Sequence, residues 1–181
     1  MLNYSQIEKY DPCKMYKVYD RWPEIARDAY ESNLKPINFD DVDHIVFAGM
    51  GGSGAVGDLF SSILSKTDIH VSLVKGYLLP KTVDKNTLVV TTSISGNTDE
   101  TLTVLESTTK LNCKVIAFSS GGIMEEFCKK NQVEYQKIES IHSPRTSFIK
   151  FIYSMMHVLN PVLSIDKNDI RTSLIDLENM K

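Results

Sequence analysis

Cysteine is scarce in this sequence and badly placed for pairing: Cys13, Cys113 and Cys128 are odd in number, widely spread, and include no C-x-x-C pair. A disulfide scaffold, a zinc motif and a redox motif therefore have no support, and the thiols read as reduced, which points to a cytoplasmic setting. Long apolar runs are missing as well. The stretches 45–48 and 151–159 fall far short of the roughly 18 apolar residues that a membrane span needs. The polar start (Asn3, Tyr4, Ser5, Gln6, Glu8, Lys9) has no signal-peptide apolar region. Nor is there a basic run: 20 Lys and Arg stand against 23 Asp and Glu, for a formal charge of −3. Nucleic acid has no electrostatic footprint here, and no membrane partner is implied. The phosphate-loop pattern G-x-x-x-x-G-K-S/T is absent, which disfavours an ATPase.

What is present is globular material. The 181 residues are 42% hydrophobic and 24% charged, about one domain at roughly 150 residues per domain. From residue 43 onward, short β-branched runs alternate with segments of helical period. Strands are expected at 44–48, 69–74, 87–92, 113–118 and, more weakly, 133–138, and helices at 54–66, 98–111 and 123–131. The first, third and fourth strands are almost continuously apolar, as parallel strands covered on both faces must be; the second and fifth alternate and belong nearer an edge. The pattern predicts an α/β fold, a doubly wound, five-stranded parallel sheet in a three-layer sandwich. Trp22, Ile25, Ala26 and Ala29 mark an N-terminal helix. Ser143-Pro144 opens a long apolar helix that Asn160-Pro161 should end, and a last helix is expected over 168–177. The expected divisions are a helical segment over 1–40 packing on the domain, the α/β domain over 41–160, and a C-terminal helix or linker over 161–181.

In such sheets ligands bind outside the carboxyl ends of the strands. The first strand ends in Gly49-Met50-Gly51-Gly52-Ser53-Gly54 and runs into a helix. Exposed amides and the positive helix terminus suit an anion, most simply phosphate. Gly49, Gly51 and Gly54 also satisfy G-x-G-x-x-G, yet the second strand ends Val74-Lys75-Gly76 with no acid for a ribose, leaving only an NADP reading through Lys75. Ser53 misses the G-x-S-x-G elbow, which disfavours a serine hydrolase. The third strand ends Ser93-Ile94-Ser95-Gly96-Asn97-Thr98, where hydroxyls and the amides around Gly96 can hold a phosphomonoester; the bland alternative is a turn with an Asn97–Glu100 capping box. Ser119-Ser120-Gly121-Gly122 could line a sugar pocket or be plain turn chemistry. Arg145, in the first turn of a helix whose dipole it opposes, reads as functional; His142 reads as a solvated loop residue with an outside claim to acid or base work.

Together Gly49–Gly54, the Ser93–Thr98 loop with Glu100-Thr101, and Ser143-Pro144-Arg145 resemble the first sugar isomerase (SIS) domain of the archaeal-type bifunctional phosphoglucose/phosphomannose isomerases. The resemblance implies a flavodoxin-like strand order and binding of glucose, fructose or mannose 6-phosphate without metal or cofactor. It implies that Gly51, Gly52 and Ser53 border the sugar, that Ser93, Ser95 and Thr98 hold the phosphate beside Gly96 and Asn97, and that Arg145 stabilises an enediolate. In the family the glutamate base and the ring-opening histidine come from a second SIS domain and a partner subunit, and this sequence reaches Lys181 where that domain is expected to start. The expectation is thus a binding domain that does not turn over alone. The alternatives are a short isomerase dimer that recruits His142 or Glu100, a sugar-phosphate sensor acting through a partner chain, and, more distantly, an NADP-binding protein. The breadth of the apolar stripe over 148–159 implies at least a homodimer.

Overall fold

The structure is a computed structural model and describes residues 4–180. Three helices, α1 (Tyr4–Tyr10), α2 (Met15–Asp20) and α3 (Trp22–Tyr30), precede the first strand. Then follow β1 (His44–Ala48), α4 (Gly51–Leu64), β2 (His70–Val74), β3 (Thr87–Ser93), α5 (Asp99–Thr108), β4 (Lys114–Ser119), α6 (Gly122–Asn131), β5 (Glu134–Lys137), α7 (Pro144–Leu163) and α8 (Lys167–Asn179). All strand pairs are parallel, in the order β2-β1-β3-β4-β5. The expected doubly wound sheet and its flavodoxin-like order are both present. The two strands with alternating patterns, β2 and β5, are the edges, because only an edge strand can leave part of its side chains in water.

The period-two alternation of β1 shows how the layers arise. Ile45 and Phe47 enter one core with Val56, Phe60 and Leu64 of α4 and Phe151, Met155 and Leu159 of α7. Val46 and Ala48 point the other way, towards Val104 of α5, and beside them Leu105, Ala117, Met124 and Cys128 fill the space beneath α5 and α6. Phe47 and Phe60 stack with centroids 5.2 Å apart at 10°. At Gly57 an added Cβ would sit 3.0 Å from Phe47 Cβ, so α4 lies close on the sheet because that residue has no side chain. Helix α3 buries Ile25, Ala26 and Ala29 against α7 as its spacing predicted.

Helix α7 corrects one expectation. It runs through Pro161 to Leu163 and closes at Ser164 in a left-handed conformation, with Ser164 N donating to Asn160 O at 2.8 Å. Pro161 stands in the last turn, where the lost amide costs a single bond, and the next residues bury Leu163 to 2% exposure, so packing carries the helix past it. The connection 75–86 is a loop without a helix. Cys128 is buried and its thiol is pushed up to about 11 by that burial; Cys113 is raised for the same reason, and Cys13 is exposed. Among the described residues no helix is long and apolar enough to cross a membrane.

Candidate functional site

Every glycine-rich loop singled out above lies at the carboxyl edge of the sheet, because each follows a parallel strand. Helix α4 starts at Gly51, three residues before the sequence pattern placed it, with Met50 as an extended N-cap. The amides of Ser53 and Gly54 both bond Met50 O, at 3.0 and 3.2 Å. Those of Gly51 and Gly52, in the first turn, have no intrahelical acceptor to reach and face out of the helix end. Both glycines are exposed and an added Cβ at either would touch nothing within 4 Å, so an anion could approach these amides freely. Gly49 is different: a Cβ there would lie 2.9 Å from Thr92 O, which makes the close approach of β1 to β3 depend on it.

The loop after β3 is a closed turn. Ser93, 1% exposed, places its Oγ 2.9 Å from Thr98 Oγ1 and accepts the Gly96 amide at 3.1 Å. Ser95 Oγ accepts Asn97 N at 3.2 Å and is itself exposed, as is Asn97. Gly96 has φ +72°, and a Cβ on it would fall 1.8 Å from Gly121 O. That crowding arises because the loop after β4 grips the turn. Ser120 donates its N–H and Oγ to Ile94 O, Met124 N bonds Gly96 O at 3.0 Å, and Ile123 N bonds Asn97 Oδ1 at 3.0 Å. From the other side Ser53 Oγ accepts Ile94 N at 3.4 Å. The Ile94 peptide is thereby held between the first and third loops, and the 95–98 segment is presented as a rigid cup.

These contacts replace the capping box that was the alternative for this loop. Thr98, not Asn97, is the N-cap of α5, with its hydroxyl committed to Ser93, and the Asn97 carbonyl oxygen serves α6. Glu100 faces Tyr77: its negative charge, followed by burial, pushes that phenol up. Lys75 is held by Asp58, at 2.8 and 2.7 Å, so the cation invoked for a 2′-phosphate has a carboxylate partner.

His142 and Arg145 belong to a different cluster. The turn over 141–147 opens α7, with His142 at φ 55° and its Nε2–H donating to Cys13 O at 3.1 Å. Arg145 is exposed in the first helical turn and has no hydrogen bond or ion pair among the described residues. No hydrogen bond links His142 or Glu100 to the cup formed by Ser93, Ser95, Gly96, Asn97 and Thr98. Ser120 is the residue that the sequence pattern undervalued. Its place in a Ser-Ser-Gly-Gly run was visible, and the positive φ of Gly121 and Gly122 explains why the chain can turn back onto the cup.

Residues 38–160 match the SIS domain model. A bifunctional phosphoglucose/phosphomannose isomerase of Aquifex aeolicus is 34% identical over 176 residues, covering 93% of this chain and 50% of that protein. One from Caldicellulosiruptor bescii is 35% identical over 137 residues, covering 74% of this chain and 40% of its own length. The chain thus spans about half the length of the relatives it matches. The C-terminal domain of glucosamine-fructose-6-phosphate aminotransferase from Francisella tularensis shares the fold, with a TM-score of 0.63 at 19% identity over 91% of this chain and 52% of that one.

Proposed function

Since the chain belongs to the SIS domain family, we propose that it binds a hexose 6-phosphate at the carboxyl edge of its sheet and steadies the anionic intermediate of an aldose–ketose isomerisation. The observation that carries this reading is the doubly braced cup over 95–98, in which the Ile94 peptide is held by Ser53 on one side and Ser120 on the other. Such a cup offers amides and hydroxyls that need not reorganise when a phosphate dianion arrives, so little of the interaction energy is lost in ordering the loop. In the proposal the Ser95 and Thr98 hydroxyls and the neighbouring amides take the phosphate, Ser93 supports Thr98 from the core, and Gly51, Gly52 and Ser53 border the sugar.

Isomerisation moves a proton between C1 and C2 through an enediolate, and Arg145 is the cation assigned to that charge. The reaction also needs a base at C2 and an acid for ring opening. Glu100 is turned to Tyr77 and His142 to Cys13, so the proposal gives this chain binding and charge stabilisation and leaves proton transfer to groups outside it. A cytoplasmic setting, motivated by the unpaired cysteines, completes the reading; the apolar stripe of α7 that suggested a homodimer is already buried within the single chain, against α3, α4 and the sheet.

The test is thermal unfolding with fructose 6-phosphate and with an aldonate 6-phosphate. Both should raise the midpoint, Ser95→Ala should abolish the gain, and a coupled isomerase assay should show no turnover. Absence of any shift would sink the binding assignment. Turnover that His142→Ala abolishes would favour the short-isomerase alternative.

A further inference from the structure

Arg145 has no side-chain partner, so the starting position of its guanidinium is set by the backbone of the turn that carries it. That turn is internally rigid: Ile141 N bonds Ser147 Oγ at 2.7 Å, Ser147 Oγ bonds Ser143 O at 2.8 Å, and Ser143 N bonds Thr146 Oγ1 at 3.1 Å. Thr146 and Ser147 are fully buried. These bonds set the shape of the turn, and the packing of α7 seats its buried side, which leaves the exposed side that carries Arg145 to contacts made from outside the helix. Apart from the backbone bonds that continue α7, the polar contacts that leave the turn among the described residues end on the N-terminal helical segment. Trp22 Nε1–H donates to Thr146 O at 3.1 Å, His142 Nε2 reaches Cys13 O at 3.1 Å, and Ser143 Oγ lies 3.8 Å from Met15 Sδ. Trp22 is half-buried against the main core and is braced by Tyr19, whose ring meets it edge-on with centroids 4.8 Å apart. Cys13, Met15 and Trp22 lie outside residues 38–160, the span matched to the SIS model.

We infer that the segment from Cys13 to Trp22 is a strap that positions Arg145, with the Trp22–Thr146 bond as its principal fastening. The inference rests on the enediolate role proposed for Arg145 and adds to it a positioning residue from outside the matched domain. The bond is to the carbonyl of the residue next to Arg145, so loosening it moves the guanidinium and leaves the 95–98 cup untouched. Charge stabilisation is sensitive to such movement, since a misplacement of about 1 Å can cost on the order of 100-fold.

The experiment measures affinities for inorganic phosphate, fructose 6-phosphate and an aldonate 6-phosphate, whose carboxylate copies the enediolate charge. Trp22→Phe keeps an aryl ring and removes the N–H. It should bind the first two as the wild type does and bind the aldonate about 3- to 10-fold more weakly, the range expected for one hydrogen bond. Arg145→Ala should lose at least as much, and the double variant no more than Arg145→Ala. Trp22 is the single tryptophan of the sequence, so in the wild type its emission should respond to the aldonate and not to phosphate, and Arg145→Ala should silence that response. Should Trp22→Phe fold poorly, His142→Asn, which tolerates the left-handed backbone and breaks the Cys13 bond, should show the same selective loss. If Arg145→Ala weakens the aldonate while Trp22→Phe and His142→Asn do not, the strap is overturned and the function stands. If the wild type binds none of the three ligands, the function fails and the strap with it.

Discussion

Ser93 and Thr98 share a hydroxyl–hydroxyl contact of 2.9 Å that closes the turn between β3 and α5. Thr98 is the N-cap of α5, so this bond ties the buried end of the central strand to the helix terminus that faces the proposed phosphate. Ser93 Oγ also accepts the Gly96 amide at 3.1 Å, so the one hydroxyl holds both the middle and the end of the turn.

Thr98→Val keeps the shape and removes the hydroxyl. Its stability in urea should fall by about 1 kcal/mol, the usual net value of one hydrogen bond, and the thermal gain from fructose 6-phosphate should largely disappear. Thr98→Ser should retain both. A Thr98→Val protein that binds the ester unchanged would remove this pair from the site.

Two glycines should respond in opposite ways to alanine. At Gly96 the new Cβ would lie 1.8 Å from Gly121 O on a backbone at φ +72°, and the obstacle is main chain that cannot swing aside. Gly96→Ala should therefore lose roughly 3 kcal/mol or more, in the range of large point effects, and with it phosphate binding. At Gly52 nothing lies within 4 Å. Gly52→Ala should gain up to roughly 0.5–1 kcal/mol of helix stability while crowding the first-turn amides. Melting curves and phosphate titrations on both variants check this: a stable Gly52→Ala that binds fully would clear α4's terminus of a ligand role.

At the opposite edge of the sheet, His44 carries a pH prediction. Its ring is buried, bonded to Thr87 Oγ1 at 3.2 Å and Ser72 Oγ at 2.9 Å, with the His70 ring 4.8 Å away. Burial first, and then the charge of His70, hold its imidazole below the usual histidine range, against smaller opposing pulls from Asp84 and Asp43. In the unfolded chain His44 takes up a proton near about pH 6.5, more readily than in the fold. Its contribution to stability is thus complete above that pH and is lost as the pH falls through the lowered folded value. Urea midpoints should decline over this range in the wild type and decline less in His44→Gln. Equal slopes for the two proteins would show that the titrating group lies elsewhere.

Local patterning alone marked the strands of the sheet and which of them form its edges, while their order came from the family resemblance. The apolar continuity of 44–48 and 87–92 marks strands covered on both faces, and the alternation in β2 and β5 marks edges, because side-chain burial in a strand follows directly from its neighbours on two faces. The glycine and hydroxyl content of the loops after β1 and β3 likewise marked them as the candidate anion site, since backbone access and donor supply are properties of the residues themselves. Tertiary packing decided the rest. Nothing local could show that Pro161 would be carried through by the burial of Leu163, that Thr98 rather than Asn97 would cap α5, or that Glu100 would turn to Tyr77. The brace on Ile94 joins residues 53, 94 and 120, and the strap on Arg145 joins residues 13, 22, 142 and 146. Both depend on segments far apart in the chain meeting with donor and acceptor in register, and only the closed fold brings those partners within bonding distance.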